Sequence, residues 1–181
     1  MANHSDFREG EFGARFVNEY LDNVAPRIPS SHLKRFQATA IANLEQAKGQ
    51  QGLSAAVDRI DSMAPTMTDG QLMRCWNNLI GRLETLTDSA EADSLGLHLS
   101  EIGRHLNNEA AINAGEQLIQ LCAKTRLMWI HNGCSVALGI HPEKELPLMA
   151  RLTPSQRQFL KGMVLHYMKQ EGPVLLSLIH I

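Results

Sequence analysis

The chain of 181 residues predicts an all-α fold, a bundle of about six to seven helices, and three observations carry that reading. Leu (24) and Ala (18) far outnumber Val (6) and Thr (7), a balance that favours helix over strand. Apolar residues recur at spacings of three and four along most of the chain. Capping signals and Pro/Gly breaks divide that pattern into segments of helical length. At 44% apolar and 20% charged residues the composition suits one globular domain over residues 1–175, and not a disordered chain.

The first helix is expected over about Asp6 to Asn23, with Phe16, Val17, Tyr20, Leu21 and Val24 at helical spacing and Pro26 and Pro29 closing it. Ser30 or Ser31 is expected to cap the second. Its apolar stripe is Leu33, Phe36, Ala40, Ile41 and Leu44, and Gly49 and Gly52 should end it. A shorter helix follows with Leu53, Val57 and Ile60 inward, stopped by Pro65. Thr68-Asp-Gly-Gln71 reads as a capping box, in which side chains at the two ends exchange hydrogen bonds with backbone amides. The helix it opens carries Leu72, Cys75, Trp76, Leu79, Ile80, Leu83 and Leu86 in one phase.

Thr87-Asp88 turns the chain into a helix through about Leu106, and Asn107-Asn108 separates that from one reaching about Ile130. The inward face of the latter is Ile112, Gly115, Leu118, Ile119 and Cys122. Residues 131–152 lose the period, and an irregular connection is expected there, with a short extended piece at Ser135–Ile140. Thr153-Pro-Ser-Gln156 is a second capping box, opening a helix with Leu160, Met163, Val164, Tyr167 and Met168 that stops at Gly172-Pro173.

Several function classes lose support from the same composition. A net charge of −2, spread evenly, argues against a nucleic-acid binder, and Lys34-Arg35 and Arg104 read as isolated solvated charges. The N-terminus has no apolar core that would make a signal peptide, and the longest weakly polar run, Leu118 to Ile140, is broken by Lys124, Arg126, His131 and Asn132. With three cysteines, no CxxC pair and no export signal, the expectation is a cytoplasmic protein with buried reduced thiols. No P-loop, GxGxxG, GxSxG, HExxH or EF-hand spacing occurs, so no cofactor is expected and the balance leans away from an enzyme.

Three constellations remain. His98, Glu101 and His105 share one flank of a helix whose apolar stripe is Leu95, Leu99, Ile102 and Leu106. Imidazole and carboxylate ligands at that spacing suit a metal site, and the alternative is a solvated polar flank. His131 and Cys134, with Cys122 and His141 further off, pair zinc-type ligands at short spacing, or would make Cys134 a nucleophile; the alternative is structural thiols. Ala92, Gly96, Leu99 and Gly103 form a small-residue stripe. Interior glycine costs about 1 kcal/mol against alanine, so the stripe implies close helix approach, inside the bundle or between two subunits. Trp76, Trp129 and the scattered methionines read as core.

Leu152-Thr-Pro-Ser-Gln-Arg-Gln-Phe-Leu160 resembles the opening of the helix-turn-helix domain of response-regulator-type transcription factors, over nine residues. That family turns after a short helix, whereas here the helical phase continues to about Lys169 with no recognition helix after it. The resemblance implies a regulator whose DNA-reading part lies beyond residue 175. Leu176-Ser-Leu-Ile-His-Ile181 resembles the translation of the mosaic-end adapter of transposase-based sequencing libraries, which implies six non-native residues on a truncated reading frame.

The sequence thus points first to a non-enzymatic helical protein that works through protein–protein contact and self-association, as a regulator, adaptor or accessory factor. A truncated helix-turn-helix regulator and a metal-dependent enzyme with a His/Glu or His/Cys site are the alternatives.

Overall fold

The computed structural model describes residues 29–87, 91–125, 127–138, 151–159 and 162. The helix expected over Asp6–Asn23, residues 139–150, most of the last helix and the adapter-like tail lie outside them. The described chain is an all-α bundle, with no strand among those residues. None of its helices is long and apolar enough to cross a membrane. The described residues divide into two compact units, one ending at Thr68 and one beginning at Asp69.

In the first unit, α1 (Ser30–Gln46) packs on α2 (Gly49–Met63), and a 3-10 turn (Ala64–Thr66) follows. Neither serine caps α1. The helix begins at Ser30, Pro29 occupies the cap position, and its carbonyl accepts from the amides of His32 and Leu33. Gly49 does not end α1 but opens α2, at φ +67°, a left-handed conformation that glycine adopts without steric cost. Leu53, Val57 and Ile60 point inward as their spacing predicts, and Pro65 lies within the 3-10 turn that ends the helix.

The α1 stripe is rotated from its expected phase. Ala40, Ile41 and Leu44 are buried, but the inward position one turn earlier belongs to Gln37, while Phe36 is 56% exposed. The Gln37 amide donates to the Thr66 carbonyl (2.9 Å) and to Thr66 Oγ1 (3.1 Å). Thr66 Oγ1 in turn donates to the Met63 carbonyl (2.8 Å). A polar contact between α1 and the 3-10 turn after α2 stands where the apolar pattern put an aromatic one.

The second unit holds α3 (Asp69–Glu84), α4 (Ala92–Gly103), α5 (Asn108–Lys124) and α6 (Met128–Leu138), then a short helical stretch at residues 154–159. The α3 core face is as expected as far as Leu83: Leu72, Cys75, Trp76, Leu79 and Leu83 are buried, with Ile80 at its edge, whereas Leu86 lies past the helix end and is half-buried. Asn107 caps α5 by accepting the Ala110 amide (2.8 Å). Its own amide and side chain donate to the Asp69 carboxylate (3.0 and 2.6 Å), tying the first turns of α3 and α5 together. The α5 face also turns slightly. Ala111 and Ala114 are fully buried, whereas Ile112 and Ile119 lie at the margin.

The region after Ile130 corrects the expected loop. The long helix breaks at Thr125, where the backbone is extended, and Thr125 Oγ1 accepts the Leu127 amide (3.1 Å). Helix α6 then runs through Leu138, so residues 135–138 are helical and not extended. Gly133, which suggested a turn in the sequence, is a packing glycine within α6. The second capping box forms as read: Thr153 N donates to Gln156 Oε1 (2.9 Å) and Gln156 N donates to Thr153 Oγ1 (3.3 Å). Gln156 Nε2 also reaches the Ile112 carbonyl (3.2 Å) and Glu116 (3.4 Å), and Leu152 packs against Gly115, filling the space a Cβ would need there. Arg151 donates to the carbonyls of Leu106 and Arg104, which follow the end of α4.

Candidate functional site

The small-residue stripe is the contact between α4 and α6. Ala92, Gly96, Leu99 and Gly103 are all buried, and α4 packs on α6 more extensively than on any other described helix. A Cβ on Gly96 would run into the Gly133 carbonyl oxygen and lie 2.8 Å from Val136 Cβ. The reciprocal Cβ on Gly133 would lie 2.8 Å from the Ala92 carbonyl oxygen and 2.9 Å from Leu83 Cδ1. Of the two arrangements open from the sequence, close approach inside the bundle is the one these residues adopt.

His98 and Glu101 meet, but His105 does not join them. His98 is 7% exposed, not on a solvated flank, because it sits beside Leu99 and Ile102 on a helix buried along much of its surface. Its two ring nitrogens are both engaged: Nδ1 with Glu101 Oε2 (3.1 Å) and Nε2 with Ser94 Oγ (3.5 Å). His98 and Glu101 lie one turn apart on α4, where a spacing of three brings neighbours together, whereas His105 follows the end of the helix. His105 instead accepts from Arg104 Nε (3.1 Å). Among the described residues no three His, Cys, Asp or Glu side chains assemble as a metal ion would require. A nitrogen lone pair already used in a hydrogen bond is not available to a cation.

The remaining cluster does not form a metal-type group of three either, but its members influence one another. The break at Thr125 folds α6 back on the last turn of α5 and brings together Cys122, His131 and Cys134, all buried. Cys122 lies near enough to Cys134 and His131 for both side chains to act on its thiol. His131 Nε2 lies 3.1 Å from the Thr125 carbonyl oxygen. A carbonyl can only accept, so Nε2 carries a hydrogen, and Nδ1 is left as the ring nitrogen for the Cys122 sulfur. His141, the fourth residue of the sequence cluster, lies outside the described residues.

The electrostatics follow from that order of groups. The hydrogen bond from Cys134 does most to hold the Cys122 thiol down, at about 6; burial opposes it, and the hydrogen bond and charge of His131 add to it. Cys134 is pushed well above the usual thiol range by its bond to Cys122, by burial and by the Cys122 charge. Burial lowers His131, but the hydrogen bond and charge of Cys122, helped by the Thr125 carbonyl, outweigh it and leave the imidazole raised. Cys122 is therefore the sulfur that ionises first, with an imidazolium on one side and a thiol donor on the other.

Sequence spacing directs attention to His131 and Cys134, which are close in sequence; it gives Cys122 no special place. Only the helix break at Thr125, which the continuous apolar phase conceals, makes Cys122 central. Cys75 is buried on α3. No protein-family model, curated protein or solved structure matches this chain, so the chemistry of these side chains is the ground for any functional reading.

Proposed function

We propose that the protein is a non-enzymatic helical factor that acts through protein–protein contact, as a regulator, adaptor or accessory protein, and that it self-associates. The observation that supports this reading is the inversion on α1, where buried Gln37 takes the inward position and Phe36 stands 56% exposed. Burying a phenylalanine contributes roughly 1.5–3 kcal/mol, so a chain that leaves one out and a glutamine in forgoes stability locally. Such local departures mark surfaces with another use, and aromatic side chains are favoured anchors of protein interfaces. Leu33, one turn away on the same side of α1, is only half-buried and extends the apolar spot.

Sedimentation equilibrium of the whole chain over a wide concentration range tests the reading. The parent protein should rise above its 20.1 kDa monomer mass with concentration. Phe36→Asp should remain at that mass while keeping the parent's helicity by circular dichroism. A parent protein that stays monomeric at the highest concentration, or a Phe36→Asp variant that associates as well as the parent, overturns it.

A further inference from the structure

We infer that Ser94 is an acyl-accepting nucleophile, with His98 as its base and Glu101 as the residue that orients the base, and that it takes an apolar acyl group from an activated carboxylic ester. The acyl-serine is a covalent modification of the chain and needs no turnover, so it goes beyond a contact function without opposing one. Ser94 belongs to α4 and Phe36 to α1, so the test of either can fail without the other.

Three features of the geometry carry the inference. The side chains form one row: Ser94 Oγ stands 3.5 Å from His98 Nε2, and His98 Nδ1 stands 3.1 Å from Glu101 Oε2. Helical spacings of four and then three stack them on one face of α4. The row also has a direction. A carboxylate only accepts, so Nδ1 carries the ring hydrogen and Nε2 turns its lone pair towards the serine hydroxyl. General-base activation of a hydroxyl requires that order of nucleophile, base and orienting group, and its first link is commonly long until substrate binds. Finally, burial is graded along the row. His98 is buried, which fixes its ring, while Ser94 is half-buried and the Glu101 side chain is 39% exposed, leaving the serine within reach of a reagent from solvent. Leu97, three residues after Ser94 on the same side of the helix, is 54% exposed and offers an apolar surface to the acyl chain. Ser94 also lies in the first turn of α4, where the helix dipole favours negative charge gathering at the site of attack.

The chemistry balances. Ser94 Oγ attacks the ester carbonyl carbon as its hydrogen passes to His98 Nε2, and the carbonyl electron pair moves onto the carbonyl oxygen. When that pair returns, the bond from the carbon to the leaving oxygen breaks. The leaving oxygen takes the proton from His98 Nε2 and departs as an alcohol or phenol. Glu101 keeps the imidazole aligned through Nδ1 and stabilises the imidazolium while it carries both hydrogens. One serine hydroxyl and one ester become one acyl-serine and one alcohol or phenol, with no change of oxidation state.

The test treats the full chain with p-nitrophenyl butyrate at neutral pH and maps the butyryl group by mass spectrometry of its peptides over time. Ser94 should label at least about tenfold faster than Ser31, an exposed serine at the start of α1. His98→Ala should slow labelling of Ser94 by about a hundredfold, and added imidazole should restore part of the rate. Glu101→Gln, whose amide oxygen still accepts from Nδ1, should label faster than Glu101→Ala, a recovery that a merely structural loss would not produce. Leu97→Ser should lose the preference for the butyrate ester over the acetate ester. Parent protein in which Ser94 stays unlabelled, or labels no faster than Ser31, overturns the inference, and that comparison needs no variant to fold. A folded His98→Ala variant that labels at the parent's rate overturns it as well.

Discussion

Replacing Gly96 by alanine sets two known effects against each other. Alanine in a helix interior is more favourable than glycine by about 1 kcal/mol, because glycine loses more backbone freedom on folding. At Gly96 the added methyl would collide with the Gly133 carbonyl oxygen and approach Val136 Cβ to 2.8 Å. The obstacle is backbone, which cannot swing aside as a side-chain tip can, so α4 and α6 must separate. Overpacking of this kind costs roughly 1–3 kcal/mol, more where backbone must shift. With a backbone obstacle the cost falls at the upper end, about 2–3 kcal/mol, so the net effect expected is a loss of about 1–2 kcal/mol. Gly81 supplies the control: it lies on the exposed side of α3, and a Cβ there meets nothing within 4 Å. Gly81→Ala should therefore gain up to about 1 kcal/mol from the same chemical change. Urea denaturation of the two variants and the parent, followed by circular dichroism, measures the difference, with equal m-values required for a clean comparison. Gly96→Ala at least as stable as the parent would refute the assignment of the stripe to the α4–α6 contact.

Three further outcomes are expected. Gln37→Ala removes both hydrogen bonds to Thr66 and should cost about 1–3 kcal/mol by urea denaturation, more than truncating exposed Gln46 on the same helix. Thr153→Ala and Gln156→Ala should each cost about 1 kcal/mol, and the double variant less than their sum, since each alone already removes the bond from Thr153 Oγ1 to Gln156 Oε1 (3.1 Å). The third concerns pH. Cys122 has its folded value lowered from an ordinary 9.0 to about 6, so its contribution is full above the unfolded value and is lost as pH falls through about 6. His131 is raised, so its contribution is full below its ordinary 6.5 and is lost as pH rises through the folded value. The thiolate–imidazolium pair accordingly occupies the window between them. Thiolate ultraviolet absorbance that appears near pH 6 in the parent and is missing in Cys122→Ser is the expected signature.

The places where sequence reading held and where it slipped share a physical pattern. On α3, one apolar residue at every helical spacing leaves a single way to face the core, and Leu72, Trp76, Leu79 and Leu83 take it. The Thr153/Gln156 box forms because its partners are three residues apart and need nothing else. On α1 the stripe was ambiguous by one residue, and the decision went to Gln37 because the acceptor it needs, Thr66, lies twenty-nine residues away. At residues 135–138, Gly133 suggested a turn, yet a glycine that permits close helix contact looks the same in sequence as one that ends a helix. The candidate site shows the same division. Spacing identified His131 and Cys134, but it also favoured His98, Glu101 and His105, whose nitrogens and oxygens are spent on neighbours.

By itself, then, the sequence determined that this chain is helical, where α3 and the capping box at Thr153 begin, and which residues are small enough to let helices touch. Those are consequences of propensity, periodicity and contacts within one turn, which a linear pattern records. Tertiary structure alone decided that Gly96 of the small-residue stripe meets α6, that Gln37 is inside and Phe36 outside, and that Cys122 feels both His131 and Cys134. Each of these depends on a partner from another element, brought near by a break or a turn, and on competition between polar and apolar groups for one buried position. Local pattern is blind to that competition because its energy exists only once the helices have packed.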